Sequence, residues 1–197
     1  CIRDRRKAAT FLLGDNLERT TQGGGIYTYT SQQGAAAFRD TGSFDAAGSL
    51  SQENAEAFCR DFCKAFSYDT PIFTLDETGS GTATAVRLWN GTPVFNAAVT
   101  FTIDQGRVLS ASGALLPETG AETSSGQKPL SAFAALTAFQ QMRHASSSVV
   151  SSITEVSLCY ELQSTTAAPM ALVPSWRIVT DTATFYVNCI SGTVRRA

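Results

Sequence analysis

Residues that could perform acid–base or nucleophilic chemistry are few and widely spaced in this chain of 197 residues. The single histidine, His144, falls at the end of a predicted helix, where a protonated imidazole would complement the helix dipole. A pairing of His144 with Ser146 or Ser147 is sterically conceivable, but no motif would orient it. Asp104 and Asp181 lie in turn-like segments, where aspartate is favoured for conformational reasons. We therefore predict no catalytic residue and a protein that is not an enzyme.

Five cysteines stand at positions 1, 59, 63, 159 and 189. Cys59 and Cys63 lie one turn apart on a predicted helix, a spacing that matches neither a zinc knuckle nor a redox pair. Cys159 and Cys189 fall in two predicted strands, so a disulfide and a pair of buried free thiols both remain open. We predict no metal site.

The chain also lacks the signals of phosphate and nucleic-acid binding. The run Gly23-Gly24-Gly25 follows a predicted helix instead of preceding one, and no Lys-Ser/Thr pair comes after it, so it is not a phosphate loop. A net charge of −2 and a pI near 5.4 provide no basic field for nucleic acid. Asn90-Gly91-Thr92 fits a glycosylation sequon, but a tight Asn-Gly turn explains it more simply. We predict no cofactor and no nucleic-acid partner.

Aromatic side chains on alternating strands provide the remaining candidate for a site. They could line a groove for a ligand or a partner, or they could belong to the hydrophobic core, as aromatics on strands more often do. The possible groove aromatics are Trp89, Phe95, Tyr160, Trp176 and Tyr186.

The composition is that of a globular protein, with 43% hydrophobic and 16% charged residues. No apolar run reaches the length that spans a bilayer. Because the sequence starts at Cys1 without a methionine, we expect that a segment has been removed. Either a transmembrane helix preceded Cys1, or Cys1 is the lipid-bearing first residue of a bacterial lipoprotein.

Hydrophobic periodicity predicts the elements of the first half of the chain. A helix is expected over 2–19, ended by the glycine run, then a hairpin of 26–29 with 35–39 and a loop over 41–48. Ser51 is expected to cap a second helix, whose apolar stripe is Ala55, Phe58, Phe62 and Phe66. A short strand over 73–76 and a meander of 82–89, 93–103 and 108–112 follow, with turns at Asn90-Gly91 and Asp104-Gln105-Gly106.

The second half repeats this order of elements. A polar linker at 117–128 leads to a helix over 131–143, which stacks Phe133, Leu136, Phe139 and Met142. Strands are expected over 153–162, 172–180 and 184–190. The fold class is therefore α+β, with two similar helix-plus-antiparallel-sheet units and an N-terminal helix-hairpin extension. The boundaries are 1–49 for the extension, packed on the first unit, 50–117 for that unit and 128–197 for the second.

The order of these residues resembles a known family. The run Leu172-Val173-Pro174-Ser175-Trp176-Arg177-Ile178, with Leu158-Cys159-Tyr160 and Tyr186-Val187-Asn188, resembles the C-terminal domain of the YycH/YycI family, membrane-anchored accessory proteins of a bacterial two-component system. The segments Gly91-Thr92-Pro93-Val94-Phe95 and Asp104-Gln105-Gly106-Arg107-Val108 are similar to PepSY-type modules. The resemblance covers roughly 50–197.

The resemblance implies a non-enzymatic, extracytoplasmic regulatory domain that is held at a bacterial membrane by an N-terminal anchor not present in this chain. Its partner would be a membrane protein, either a sensor histidine kinase or a sister accessory protein. Two alternatives stay open: a PepSY-like inhibitor or chaperone that binds a secreted peptidase, and a surface protein that binds a small ligand through its aromatic residues.

Overall fold

The computed structural model describes residues 2–21, 23–51, 54–117, 126–146, 149–164 and 170–197. Within these ranges the chain forms three helices and twelve strands, so the predicted α+β class is confirmed. The elements are α1 (Ile2–Leu13), β1 (Glu18–Thr21), β2 (Ile26–Ser31), β3 (Gly34–Arg39), β4 (Ser43–Gly48), α2 (Ala55–Ala65), β5 (Ile72–Leu75), β6 (Gly81–Trp89), β7 (Thr92–Asp104), β8 (Arg107–Ala114), α3 (Ala132–Ser146), β9 (Ile153–Gln163), β10 (Ala171–Thr180), β11 (Thr184–Asn188) and β12 (Val194–Arg196).

All twelve strands belong to one sheet, in the order β1-β2-β3-β4-β8-β7-β9-β10-β11-β12. Strand β6 pairs with the other edge of β7, and β5 pairs with β6. Every pairing is antiparallel except that of β7 with β9, which is parallel at Val94 and Tyr160. The N-terminal and C-terminal parts of the sheet therefore meet at β7, which pairs β8 along its second half and β9 near its start.

The first helix is shorter than the sequence predicted. It ends at Leu13, because Gly14 takes a positive φ of 81° while its N–H donates to the Thr10 carbonyl at 2.9 Å. Residues 18–21 then form β1 and pair with β2, so the glycine run lies in the turn between two strands and does not end a helix. The polar residues that continued the helical pattern are more favourably placed at an exposed sheet edge.

Residues 43–48 form a strand, and the loop predicted there is wrong. Strand β4 pairs with β3 on one side and with β8 on the other, which joins the N-terminal meander to the first unit. Because most residues of β4 are small, the sequence does not show a clear alternation of apolar and polar side chains. Phe44 and Ala46 are nevertheless buried. Gly48 has to lack a side chain, since a Cβ there would lie 2.1 Å from the Gln33 carbonyl oxygen.

Helix α2 begins at Ala55, later than the predicted cap at Ser51. Asn54 is the N-cap: it adopts the left-handed conformation at φ 53°, and its side chain accepts a hydrogen bond from Ala57 N–H. The predicted apolar stripe is confirmed, because Phe62 and Phe66 are buried and Phe58 packs against the same core. Phe11 of α1 meets all three rings, so α1 and α2 form one layer over the N-terminal part of the sheet.

The meander of β6, β7 and β8 is confirmed, with both tight turns where the sequence places them. Asn90 and Gly91 take positive φ angles of 49° and 78°, and Gln105 and Gly106 take 48° and 75°. These are the conformations that Asn-Gly and X-Gly pairs adopt most readily in two-residue hairpin loops.

Helix α3 packs on the C-terminal strands through a stripe that differs from the predicted one by one residue. Phe139 and Ala135 are fully buried against Ile178 and Phe185. Phe133 is 81% exposed, so its place in the predicted stripe is wrong. Ala135 lies two positions further along the helix and takes the place expected for Phe133 on the packed face.

Hydrogen bonds join the N-terminal and C-terminal parts of the sheet beside a bulge in β7. The register with β6 moves from Val86–Ala98 to Arg87–Val94, so residues 95–97 have no partner in β6. Within this bulge Asn96 forms two hydrogen bonds of 2.7 Å with the backbone of Leu162 on β9. Residues 118–125 of the predicted linker lie outside the described residues, and the predicted domain boundaries stay a prediction.

Candidate functional site

A polar cleft lies on one face of the C-terminal strands. Its volume is about 250 Å³. Because partners in register project to the same side of a sheet, Glu161 of β9, Ser175 of β10 and Tyr186 of β11 belong to the face opposite α3 and its buried contacts. The cleft is lined by Glu161, Gln163, Ser175, Tyr186, Asn188, Ser191, Thr193 and Arg195.

An ion pair joins two strands that border the cleft. The Arg195 guanidinium of β12 lies 3.0 Å from Glu161 Oε1 of β9, across the two intervening strands. The other carboxylate oxygen of Glu161 accepts a hydrogen bond from the Gln163 amide at 3.2 Å. Since this pair neutralises both charged side chains of the lining, the cleft as a whole carries no net charge.

The bulge in β7 places an aromatic ring beside the cleft. Phe95 stacks on Tyr186, with ring centroids 3.7 Å apart and planes within 14° of parallel. The Arg195 guanidinium lies 5.2 Å from the centre of the Phe95 ring. Phe95 thus contacts two residues of the lining from the neighbouring part of the sheet.

Hydrogen-bonding capacity inside the cleft is only partly used. Ser175 is 1% exposed, and its hydroxyl has no hydrogen-bond partner among the described residues. The Asn188 side-chain oxygen accepts from the N–H groups of Ile190 and Ser191, and its amide nitrogen makes none of these bonds. The cleft therefore holds polar groups that a bound molecule could satisfy.

A second ion pair lies further along the same strands. Arg177 of β10 contacts Glu155 of β9 at 2.8 Å, and the Ser157 hydroxyl donates to the same carboxylate at 2.7 Å. Hydrogen bonds from Ser157 and Arg177 hold the pKa of Glu155 below its ordinary value. The carboxylate is therefore ionised over the whole physiological range and is unsuited to act as a general acid.

The cysteines near this face are buried thiols. Cys159 and Cys189 are both free, so the alternative of a disulfide between them is not realised in this structure. Burial, together with the nearby Cys189, raises the pKa of Cys159 to about 12. Cys59 and Cys63 on α2 are likewise free and buried, and burial raises the pKa of each to about 12. Such thiols are poor nucleophiles at neutral pH.

The structure divides the five candidate aromatics among three places. Phe95 and Tyr186 meet beside the cleft. Trp89 and Tyr160 pack instead in a small core at the junction of β7 and β9, around the buried Val94. Trp176 packs under α3, and its indole N–H donates to the Leu130 carbonyl at 2.9 Å. They do not form one groove, and their role in binding stays a prediction.

The other residues singled out in the sequence serve local structure. The Asp181 carboxylate accepts hydrogen bonds from the N–H groups of Ser151 and Ser152, and Asp104 accepts from the Ser80 hydroxyl. His144 is exposed in the last turn of α3. Ser147 lies outside the described residues, and the side chain of Ser146 does too. In the part of the chain that the structure describes, no three potential ligand side chains gather as a metal site would require.

One edge of the sheet is a strand with large exposed apolar side chains and no charged residue. Strand β5 pairs with β6 on one side, and no strand among the described residues covers its other side. Ile72 is 75% exposed and Leu75 is 36% exposed. The outer strands at the two ends of the sheet, β1 and β12, instead carry charged residues. Charges protect an edge from pairing with another chain, whereas β5 has no charged residue of its own and has only the Arg60 guanidinium of α2 near it, 5.3 Å from the centre of the Phe73 ring.

Most residues of the cleft were not predicted as a site, although the sequence carries a signal for them. Polar side chains fall at alternate positions within the predicted strands, as at Glu155, Ser157 and Glu161 in β9 and at Ser175 and Arg177 in β10, which indicates a polar face. The alternation could not show that these faces belong to neighbouring strands. The ion pair of Glu161 with Arg195 also depends on β12, which the sequence did not predict.

Comparisons with known proteins give likenesses of fold and none of sequence, and two of the similar structures are described below. No protein-family model matches the chain, and no significant match was found among curated proteins. The chain is similar to the Bacillus megaterium YpeB C-terminal domain, with a TM-score of 0.45, 13% identity and coverage of 99% of this chain and 96% of that one. It is also similar to an uncharacterized protein from Eubacterium rectale, with a TM-score of 0.49, 12% identity and coverage of 99% and 76%.

Both likenesses are too distant to carry an argument about activity. The resemblance to YycH/YycI proteins and PepSY modules therefore rests on the sequence motifs. No helix among the described residues has both the length and the apolar character needed to cross a bilayer. The polar cleft and the apolar edge at β5 remain as the two features from which a function can be argued.

Proposed function

We propose that this chain is a non-enzymatic regulatory protein that acts through contacts with another protein. The observation that supports it most directly is the β5 edge, where exposed apolar side chains border backbone groups without a strand partner. An extended segment of a partner can add to such an edge as a further strand, with backbone hydrogen bonds and an apolar contact at Ile72.

The resemblance to accessory proteins of two-component systems gives this proposal its finer form. The partner is then a sensor histidine kinase or a sister accessory protein, and the contact takes place on the extracytoplasmic face of a bacterial membrane. This part rests on the sequence motifs alone. The alternative of a PepSY-like module that binds a secreted peptidase uses the same edge, so only the identity of the partner separates the two.

Site-specific crosslinking in the cells that produce the protein tests the proposal. A photoreactive amino acid replaces Thr74 in β5 of the full-length protein, and the same amino acid at the exposed Gln140 of α3 serves as the control. Mass spectrometry identifies the captured protein. Ile72→Lys is then introduced to place a charge beside the edge, and Val149→Lys is its match, because Val149 is 81% exposed and lies in a loop.

A sensor kinase or membrane accessory protein captured at position 74, lost with Ile72→Lys and kept with Val149→Lys, is the expected result. If a secreted peptidase were captured at position 74 instead, with the same response to the two variants, the protein would be a peptidase inhibitor or chaperone and not a regulator of a two-component system. Capture that persists with Ile72→Lys would refute the role of the β5 edge. A clean preparation with no captured protein at either position would refute action through protein contacts.

A further inference from the structure

The unpaired Ser175 hydroxyl is the part of the cleft that most needs explanation. It is buried at the base of a lining made of polar side chains, and nothing in the described residues hydrogen-bonds to it. A buried hydroxyl without a partner destabilises the folded state relative to alanine at the same position. Its place beside a cavity that can hold a small molecule favours a ligand hydroxyl as its missing partner, reached once the lining side chains move slightly, since less than 1 Å² of the oxygen is accessible.

The charges of the lining restrict the class of ligand. Glu161 and Arg195 are paired at 3.0 Å, so a free anion or cation would have to break this pair and leave one charge without its partner. An apolar ligand would cover Gln163, Asn188 and the hydroxyl groups without replacing their hydrogen bonds to water. A neutral molecule with many hydroxyl groups leaves the ion pair intact and satisfies the remaining donors and acceptors.

The shapes of the side chains agree with this restriction. Glu161, Gln163 and Arg195 end in planar groups that each present two neighbouring polar atoms, a geometry that suits adjacent hydroxyl groups. Tyr186 adds a ring beside them. The cleft volume of about 250 Å³ corresponds to about eight water molecules, enough for one sugar ring.

We propose that the cleft of β9–β12 is a carbohydrate-binding site, with Ser175 at its base and the Glu161–Arg195 pair at its border. This site is separate from the β5 edge and does not depend on the proposed protein contact. The ligand is either a free sugar or one unit of a glycan chain, since both present the same ring hydroxyls.

Titration of the purified chain, followed by amide chemical shifts in NMR spectra, tests the site. The probes are glucose and N-acetylglucosamine, with cellotriose and chitotriose as short chains. Succinate and diglycine represent charged ligands of similar size. We expect millimolar sugar to shift the amide signals of Ser175, Asn188 and Thr193 while leaving those of α1 unchanged. Tighter binding of a trisaccharide than of its monosaccharide would identify a glycan chain as the source, and equal binding would identify a free sugar.

Two matched variants separate binding from folding. Ser175→Ala should weaken sugar binding about 2- to 10-fold, the effect of one hydrogen bond. Its resistance to urea should be unchanged or higher, since the hydroxyl has no partner to lose. Ser157→Ala, on the same face but outside the lining, should bind as the parent does.

Shifts caused by succinate or diglycine and not by sugars would overturn the proposed ligand class. Sugar-induced shifts that map elsewhere, equal binding by Ser175→Ala and the parent, or no shift with any probe would overturn the site. None of these results affects the proposed protein contact at β5, because the crosslinking experiment tests a different surface and a different class of partner.

Discussion

Replacement of the buried Arg87 by alanine should lower the free energy of unfolding by about 3–5 kcal/mol. Arg87 is 2% exposed, and its guanidinium donates to the carbonyls of Ser67 at 2.5 Å, Leu88 at 2.7 Å and Leu116 at 3.4 Å. A hydrogen bond to a charged group contributes about 1.5–3 kcal/mol, so the two short bonds supply about 3–6 kcal/mol. Relief of the cost of burying the charge offsets part of that loss.

Urea unfolding followed by tryptophan fluorescence measures this loss in the free energy of unfolding, and thermal unfolding measures the change in Tm. For a chain of this size, 1 kcal/mol corresponds to a Tm change of about 2–4 °C, so the variant should melt at least about 6 °C lower. Arg39→Ala is the matched control. Arg39 pairs with Asp45 at the surface, with side chains 41% and 59% exposed, and an exposed pair contributes about 1 kcal/mol or less. If Arg87→Ala were no more destabilised than Arg39→Ala, the carbonyl contacts would not hold this region together.

The position of Arg87 connects this stability to the cleft. Arg87 is paired with Val94 just beyond the register shift that leaves residues 95–97 without a partner in β6. Phe95 reaches Tyr186 from that bulge. We therefore expect Arg87→Ala to loosen the Phe95 ring as well, visible as a loss of ring-current shifts at Tyr186 in the NMR spectrum.

Two further predictions concern the core and the thiols. Phe62→Ala should cost about 3–5 kcal/mol in urea unfolding, because Phe62 is fully buried, whereas Phe133→Ala on the exposed ring should stay within about 0.5 kcal/mol; similar losses for both would contradict the assigned core. Cys59, Cys63 and Cys159 have pKa values raised from 9.0 to about 12 by burial, so they stay protonated in the folded chain while the unfolded chain ionises. Their contribution to stability is complete below about pH 9 and is lost between pH 9 and 12, which unfolding curves at stepped pH would measure; fast labelling of these thiols by a disulfide reagent in the native state at pH 8 would contradict their burial.

The parts of the fold that sequence predicted best are those with strong local signals. The apolar stripe around Phe62 and the turns at Asn90-Gly91 and Gln105-Gly106 depend on side-chain periodicity and on glycine conformation. Both are properties of neighbouring residues, so they can be read without knowledge of what packs against them.

The errors have the opposite origin. Strand β4 was predicted as a loop because Ala, Gly and Ser dominate it, and it is a strand because β3 and β8 both lie beside it. Helix α1 stops at Leu13, where Gly14 ends it, and residues 18–21 pair with β2, a contact that a helical pattern extending to residue 19 does not reveal. Phe133 matched the spacing of a core residue, yet the face of α3 that meets the sheet is set by Ala135 and Phe139.

By itself, the sequence determined an α+β chain of short antiparallel segments without a recognisable set of catalytic residues. It did so because propensity, periodicity and turn chemistry act over a few residues. Only the tertiary structure decided that β7 joins the two parts of the sheet, that Phe95 reaches Tyr186, and that Glu161 and Arg195 face one cleft. These contacts join residues from 34 to 91 positions apart in the chain, and which strands become neighbours depends on the packing of the whole sheet.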